Sequence, residues 1–288
     1  MKKYKRIYIE ITNICNLSCS FCPIEERQKS YMPLEKFEHT LKQVSPLTEQ
    51  ICLHLMGEPL AHPQFEKIME LCDQYQTKIQ LTTNGILLKK YESLLLNSTA
   101  IHQINISAQS YMDNFPNKPL VSYLDKIYAF IAKAQSQKPD LYLNIRLWNI
   151  KEESSEVNEP VFEYLENKLN CTINRNLELG RIKSKKLTGR LYLHFDSRFE
   201  WPRLGGEELS KSGRCNGLID HFAIHANGNV SPCCLDDQNI INLGNLFENS
   251  IDEIINSPRA QAMAQGFQNH QLKEELCRKC DYITRFRK

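Results

Sequence analysis

The sequence predicts an α/β fold: a partial (β/α)6 TIM-like barrel followed by a small cysteine-rich module. Three observations carry that prediction. Apolar runs of strand period interleave with helical 3-4 spacing over the first two-thirds of the chain, as repeated βα units of a parallel sheet require. The alternation stops near Asp196, where FDSRFEWPRLGG forms a connector punctuated by Pro202, Gly205 and Gly206. The 11 cysteines are unevenly spread, with one group inside Cys15–Cys22 and another between Cys215 and Cys280. Residues 1–195 are therefore expected to form the barrel and residues 196–288 the module.

Arg6–Thr12 places Ile7, Ile9 and Ile11 on one face and Tyr8, Glu10 and Thr12 on the other, as in a half-buried strand. Leu34, Phe37, Leu41 and Val44 follow helical spacing. Ile51–Met56 is the second predicted strand, with a helix after it from about Pro63 to Tyr75. Lys78–Thr83 is the third, broken by Asn84-Gly85, and Ile101–Ser107 is the fourth. A helix bearing Leu124, Ile127, Phe130 and Ile131 leads to the fifth, Leu141–Ile150. Another helix, Glu159–Leu169, precedes a β-rich stretch from Thr172 to Phe195. Beyond the connector, HFAIH-ANGN-VSPCC reads as a hairpin turning at Asn227-Gly228. Ser250 is suited to cap one helix and Ser257-Pro258 to open the next. In parallel α/β sheets the chemistry gathers at the carboxyl ends of the strands, so the residues just after each run are the candidates.

The 36 basic and 34 acidic residues leave a formal charge of +2, so binding to nucleic acid or to an anionic membrane is not expected. A hydrophobic fraction of 41% excludes disorder, and 11 Gly with 12 Pro exclude a collagen-like repeat. No run approaches the ~20 apolar residues of a membrane span, and the basic start is not followed by a signal-peptide core. The expected location is cytoplasmic, where disulfides are rare and abundant cysteine points to metal or redox chemistry.

The first cysteine group follows the first strand directly: Cys15-Asn-Leu-Ser-Cys19-Ser-Phe-Cys22. Three thiolates this close can each take one iron of an iron–sulfur cube and leave the fourth iron for a ligand that is not protein. A zinc site completed by a distant histidine has the same soft-ligand logic. The second group is Cys215, Cys233 and the Cys277-Arg-Lys-Cys280 pair. Four thiolates from a loop, a hairpin and a later CxxC can close a tetrahedral zinc site or a cubane. In so small a module the metal would supply much of the folding free energy.

The CxxxCxxC, with Phe21 before its last cysteine, resembles the cluster motif of the radical S-adenosylmethionine (radical SAM) superfamily. Met56-Gly57-Glu58-Pro59 after the second strand and Thr83-Asn84-Gly85 after the third fall where that family contacts its cofactor, as do Ser107 and Arg146. The family's usual Gly-Gly-Glu reads Met56-Gly57-Glu58 here. The resemblance implies a 4Fe-4S cluster on Cys15, Cys19 and Cys22 whose open iron chelates S-adenosylmethionine. It also implies cofactor contacts at Gly57, Glu58, Asn84, Ser107 and Arg146. Glu58 suits the cofactor's ammonium and Arg146 its carboxylate; a turn at Asn84-Gly85 and a pairing of Arg146 with Glu10 are the structural alternatives. The C-terminal group is similar to the shortened SPASM module called a twitch domain, which implies one auxiliary 4Fe-4S cluster on Cys215, Cys233, Cys277 and Cys280.

The function this implies is reductive cleavage of S-adenosylmethionine to a 5′-deoxyadenosyl radical. That radical abstracts a hydrogen atom from a peptide or small-molecule substrate, with a two-electron oxidation as the favoured ending. A flavodoxin- or ferredoxin-type protein is the expected electron donor. Cys234, next to one of the four cysteines, offers a second ending, donation of a hydrogen atom in a peptide epimerase. A non-catalytic zinc or iron–sulfur binding protein is the reading from another class. Only 14 residues precede Cys15, which disfavours a preceding peptide-recognition domain and a leader-peptide substrate. Cys52, Cys72 and Cys171 read as packing residues and His54 as a structural histidine. The basic run Lys183–Arg190 reads as a solvated loop.

Overall fold

The computed structural model describes residues 4–150, 156–175, 184–197 and 200–286. In chain order its strands are β1 (Arg6–Ile9), β2 (Ile51–Cys52), β3 (Ile79–Thr83), β4 (Ile101–Ser107), β5 (Tyr142–Ile150), β6 (Ser184–Thr188), β7 (Leu191–Ser197), β8 (His221–Ile224) and β9 (Val230–Ser231). Its helices begin with α1 (Leu34–Val44), α2 (Phe65–Gln74), α3 (Glu92–Asn97) and α4 (Gln109–Asn114). They continue with α5 (Leu120–Gln137), α6 (Glu159–Leu169), α7 (Ile251–Ile255), α8 (Pro258–Gln268) and α9 (Glu275–Arg278). The result is an α/β fold built on parallel strand pairs. Among the described residues no helix is long and apolar enough to cross a membrane.

The chain divides into two compact units. The first comprises Met1–Cys15, Pro23–Ile79 and Phe199–Lys288. In it β1 pairs in parallel with β2 and with β8, and β8 turns back antiparallel onto β9. Ile7 and Ile9 of β1 are fully buried with Phe37, Leu41, Phe65, Ile68 and Phe222, so α1 buries Phe37 and Leu41 as their spacing predicts. The hairpin turns at Gly228, whose φ of +87° favours glycine. Ser250 closes a reciprocal capping box with Glu253 at the start of α7, and the Ser257 side chain accepts from the Ala260 N–H at the start of α8.

The second unit comprises Asn16–Cys22 and Gln80–Arg198, with strand order β3-β4-β5-β7-β6. Pairing is parallel between β4 and β5 and between β5 and β7, and antiparallel between β7 and β6. Its core joins Ile104, Ile106, Leu143, Ile145, Leu193 and Phe195 to Phe130, Ile131 and Phe162 from α5 and α6.

Three local expectations change. The predicted strand Ile51–Met56 pairs only over Ile51–Cys52. Beyond it the chain turns toward Gly57, at φ +73°, and the Met56 N–H donates to the Glu10 carboxylate rather than to a neighbouring strand. β1 ends at Ile9, and Thr12 instead bridges to Tyr31. The basic run expected as a loop contributes β6, whose lysines lie on an exposed strand that pairs antiparallel with β7; charge of this kind discourages further strand pairing.

Candidate functional site

The segment leading into the first cysteine motif is fixed by its own side chains. The Thr12 hydroxyl donates to the Ser30 carbonyl at 2.9 Å and accepts from the Ile14 N–H at 3.0 Å. Asn13 spans the same turn, donating to the Gln28 carbonyl and accepting from the Ser30 N–H. Gly57 lies directly against this segment. A Cβ there would sit 2.4 Å from the Thr12 carbonyl oxygen and 2.9 Å from that of Ile14, and the Glu58 N–H donates to the Ile14 oxygen at 2.9 Å. Backbone contact of this kind needs glycine. We therefore expect Gly57→Ala to cost about 2 kcal/mol or more, from left-handed strain plus displaced backbone, read as a lowered thermal midpoint.

Glu58 is buried, and one of its carboxylate oxygens accepts from the Leu60 N–H, capping the turn Pro59–Ala61. Glu10 directly follows β1. Its fully buried carboxylate is held by Arg27, through bonds of 2.8 and 2.9 Å. Arg27 also grips Glu25 and donates to His225 Nδ1 at 2.6 Å. A guanidinium has no acceptor, so Nδ1 must accept and Nε2 must carry the proton. Nε2 then faces the Ser231 hydroxyl at 3.0 Å, which donates to the Cys233 carbonyl. Burial pushes Glu10 up, but Arg27 outweighs it and holds the carboxyl below its ordinary range. Burial, with the Arg27 cation beside it, lowers His225 to about 4. Sequence reading missed Arg27, which belongs to no periodic run or motif, and placed His225 in the predicted hairpin without giving it a role.

In the second unit, the Asn84 side chain donates to Asn16 Oδ1 at 2.8 Å and accepts from the Ile86 N–H at 3.1 Å. It is thus both the expected turn and a contact to the motif loop. β4 and β5 place Ser107 directly opposite Arg146, so two of the expected cofactor contacts are cross-strand neighbours. The Arg146 guanidinium lies over the Trp148 ring, 4.5 Å from its centroid. In the motif, Cys15 and Cys22 are exposed and Cys19 is half-buried. A hydrogen bond from Cys22 lowers Cys19 to about 7, assisted by Ser110 and Asn114 and opposed by burial. A thiol with that value is half ionised near neutrality, the state in which it ligates metal.

The C-terminal cysteines share one electrostatic environment. The Cys233 thiol is pushed far above its ordinary value by burial and by Cys215, Cys234, Cys277 and Cys280 around it. Cys277 behaves likewise through burial, Cys215 and Cys280, and Cys280 is raised to about 12. Among the described residues, no three His, Cys, Asp or Glu side chains converge as tightly as around a single ion. Four thiols that oppose one another's ionisation can be thiolates together only around a cationic core. The donor set, all soft sulfur, fits iron–sulfur ligation. The motif loop also fits, with three thiols and no fourth cysteine in its stretch.

Cys234 is half-buried. Burial raises its thiol, with Tyr8 and Arg6 beside it working in the opposite direction. The Tyr8 ring meets His54 and His221 edge-on, at centroid distances of 5.7 and 5.8 Å. Cys52 and Cys72 are fully buried, as expected of packing residues.

The family model of the radical SAM superfamily matches residues 9–156. The chain belongs to the radical SAM superfamily. A second model, the SPASM iron–sulfur cluster-binding domain, matches residues 215–281, a span that contains all four C-terminal cysteines. The first match brings with it a 4Fe-4S cluster and S-adenosylmethionine as cofactors, and the second a further iron–sulfur site in the C-terminal domain. The chain is 22% identical over 289 residues to the antilisterial bacteriocin subtilosin biosynthesis protein AlbA of Bacillus subtilis. That alignment covers 92% of this chain, and the chain spans 63% of AlbA's length. The fold is shared with BtrN, solved in complex with AdoMet and 2-DOIA, at a TM-score of 0.59, 16% identity and coverage of 98% of this chain and 94% of that one. It is shared also with Streptococcus suis SuiB bound to the precursor peptide SuiA, at a TM-score of 0.62, 17% identity and coverage of 98% and 71%.

Proposed function

We propose that the chain is a cytoplasmic radical SAM enzyme that abstracts a hydrogen atom from a peptide or small-molecule substrate and completes a two-electron oxidation. The observation that carries this reading is the separation of the cysteines into a set of three on one loop, two of them exposed, and a half-buried set of four in which the thiols around Cys233 oppose its ionisation. On this reading Cys15, Cys19 and Cys22 hold the cluster that chelates S-adenosylmethionine, and Cys215, Cys233, Cys277 and Cys280 hold a single auxiliary 4Fe-4S cluster. When bound, these groups supply a one-electron reductant that cleaves the cofactor to methionine and a 5′-deoxyadenosyl radical, and a second redox centre able to accept an electron.

The chain's own residues bind and orient. Gly57 brings backbone against the segment before Cys15. Glu58 offers a carboxylate to the cofactor's ammonium, Arg146 a forked donor to its carboxylate, and Asn84 and Ser107 hydrogen bonds. Residues 1–195 serve this core and residues 196–288 the auxiliary site. A flavodoxin- or ferredoxin-type donor would supply the electrons. The likeness to AlbA and to the peptide-bound SuiB fold supports a peptide substrate; the BtrN fold supports a small molecule.

One observation favours a second ending. Cys234 adjoins the proposed ligand Cys233, lies outside both ligand sets and has Tyr8 and Arg6 beside it, which makes it the thiol that would donate the hydrogen atom in a peptide epimerase. The test is anaerobic reconstitution with iron and sulfide, reduction with dithionite, and assay of 5′-deoxyadenosine from S-adenosylmethionine. Formation of 5′-deoxyadenosine supports the catalytic reading; its absence from protein loaded at both sites would leave an iron–sulfur binding protein. With a substrate in hand, Cys234→Ala in deuterated water separates the endings. Oxidation predicts turnover that survives, epimerisation predicts its loss together with deuterium at the product centre of the unaltered enzyme.

A further inference from the structure

We propose that Asp113 and Asn114, the last two residues of α4, position the motif loop around Cys19 and set the reduction potential of the cluster it carries, in opposite directions. The inference rests on the proposal that Cys19 is a cluster ligand.

The loop is fastened on both sides of that cysteine. The Ser18 N–H donates to Asn114 Oδ1 at 2.8 Å. The Ser20 N–H donates to Asp113 Oδ2 at 2.6 Å and the Ser20 hydroxyl to Asp113 Oδ1 at 2.7 Å. These partners stand 96 and 93 residues apart in the chain, so α4 fastens the loop from a distant part of the sequence. The Asn114 amide has one workable orientation. Its oxygen must face the Ser18 donor, which turns its nitrogen toward the Ser110 carbonyl at 2.9 Å and the Cys19 sulfur at 3.1 Å. A flipped amide would oppose donor to donor and acceptor to acceptor.

Cys19 therefore receives an amide N–H on its sulfur while a carboxylate is held at the residue next to it. A donor to a ligating sulfur favours the more electron-rich, reduced cluster, and a nearby negative charge disfavours it. The two residues do the same mechanical work, pinning adjacent backbone, and opposite electrostatic work. That contrast separates tuning from mere scaffolding, because a scaffold gives no reason for opposite signs.

The experiment is a redox titration followed by electron paramagnetic resonance on the full chain loaded at both sites. It monitors the reduced signal that added S-adenosylmethionine perturbs, which identifies the three-cysteine cluster. Asn114→Leu is expected to move the midpoint to more negative potential and Asp113→Asn to less negative potential. Asn114→Asp keeps the acceptor for Ser18, loses the donor to Cys19 and is also expected to move the midpoint down; it supplies the measurement if Asn114→Leu takes up no iron. Midpoints unchanged, or displaced with the same sign at both positions, would overturn the proposal. A perturbable signal that survives in Cys19→Ala would instead overturn the ligand assignment beneath it.

Discussion

Cys19→Ala is expected to reduce 5′-deoxyadenosine formation to background while leaving the C-terminal site loaded. Iron content should fall to about half, since one of two four-iron clusters loses a ligand from a set of three. Replacing Cys19 also removes the sulfur that Asn114 and Cys22 address. The complementary change, Cys277→Ala, acts on a different property. Cys277 sits in the field of Cys215 and Cys280, and losing one ligand of a closed set should destabilise the C-terminal domain, because metal binding there is folding free energy. Iron assay with thermal unfolding distinguishes the two variants. Equal loss of S-adenosylmethionine cleavage in both, with equal unfolding, would remove the division of labour proposed for the two sets.

Arg27→Ala carries the largest expected effect on stability. Glu10 is fully buried and Arg27 only 14% exposed, so the substitution strands a carboxylate in the interior and also deprives His225 Nδ1 of its donor. Breaking a buried pair from one side costs about 3–5 kcal/mol, read by chemical denaturation. Replacing Arg27 and Glu10 together by apolar residues of similar volume should recover only part of that loss, since the desolvation cost disappears with the charges but the buried Met56 and Ala226 N–H groups lose their acceptor.

The pH dependence of the unaltered protein has a definite sign. His225 titrates at about 4 when folded and near 6.5 when unfolded. The unfolded chain therefore binds the extra proton first, and stability declines as pH falls from about 6.5 toward 4. Glu10, lowered in the fold, adds a contribution present above its unfolded value and lost as pH falls through the folded one. In Arg27→Ala burial is left unopposed at Glu10 and carries its carboxyl above the unfolded value, while burial still holds His225 low, so the part of the acid limb that Glu10 supplies should vanish and the profile flatten. A profile with unchanged slope would show that the network does not govern acid unfolding.

Local pattern carried much of this architecture. Ile101–Ser107 and Glu159–Leu169 form where their periodicities place them, because each repeat buries one face against a neighbouring layer. The turn at Asn227-Gly228 and the caps at Ser250 and Ser257 depend on backbone chemistry within a few residues, which a sequence displays directly. The two domains were legible for a similar reason, since cysteine type and spacing are themselves a signal and both stretches match family models. Arg27, His225, Asp113 and Asn114 were not. Each is a lone polar residue whose partner is brought to it by topology, 17 residues away for Arg27 and Glu10 and 198 for Arg27 and His225. The shortened β2 was missed because a buried glutamate side chain, and not another strand, takes the Met56 N–H.

The parallel pairing of β1 with β8 has a consequence for synthesis. Lys5 and Asp220 flank that pairing and lie 215 residues apart. A ribosome adding ~5–20 residues per second needs roughly 10–40 seconds to cover that distance. During this interval one edge of β1 has no partner, and the soft-metal loop beginning at Cys15 is already outside the exit tunnel. Nascent chains must thus expose an oxidisable, metal-hungry segment well before the first unit can close. The direction of translation presents the three thiols of the first motif before the strand that covers this edge of β1 has been made.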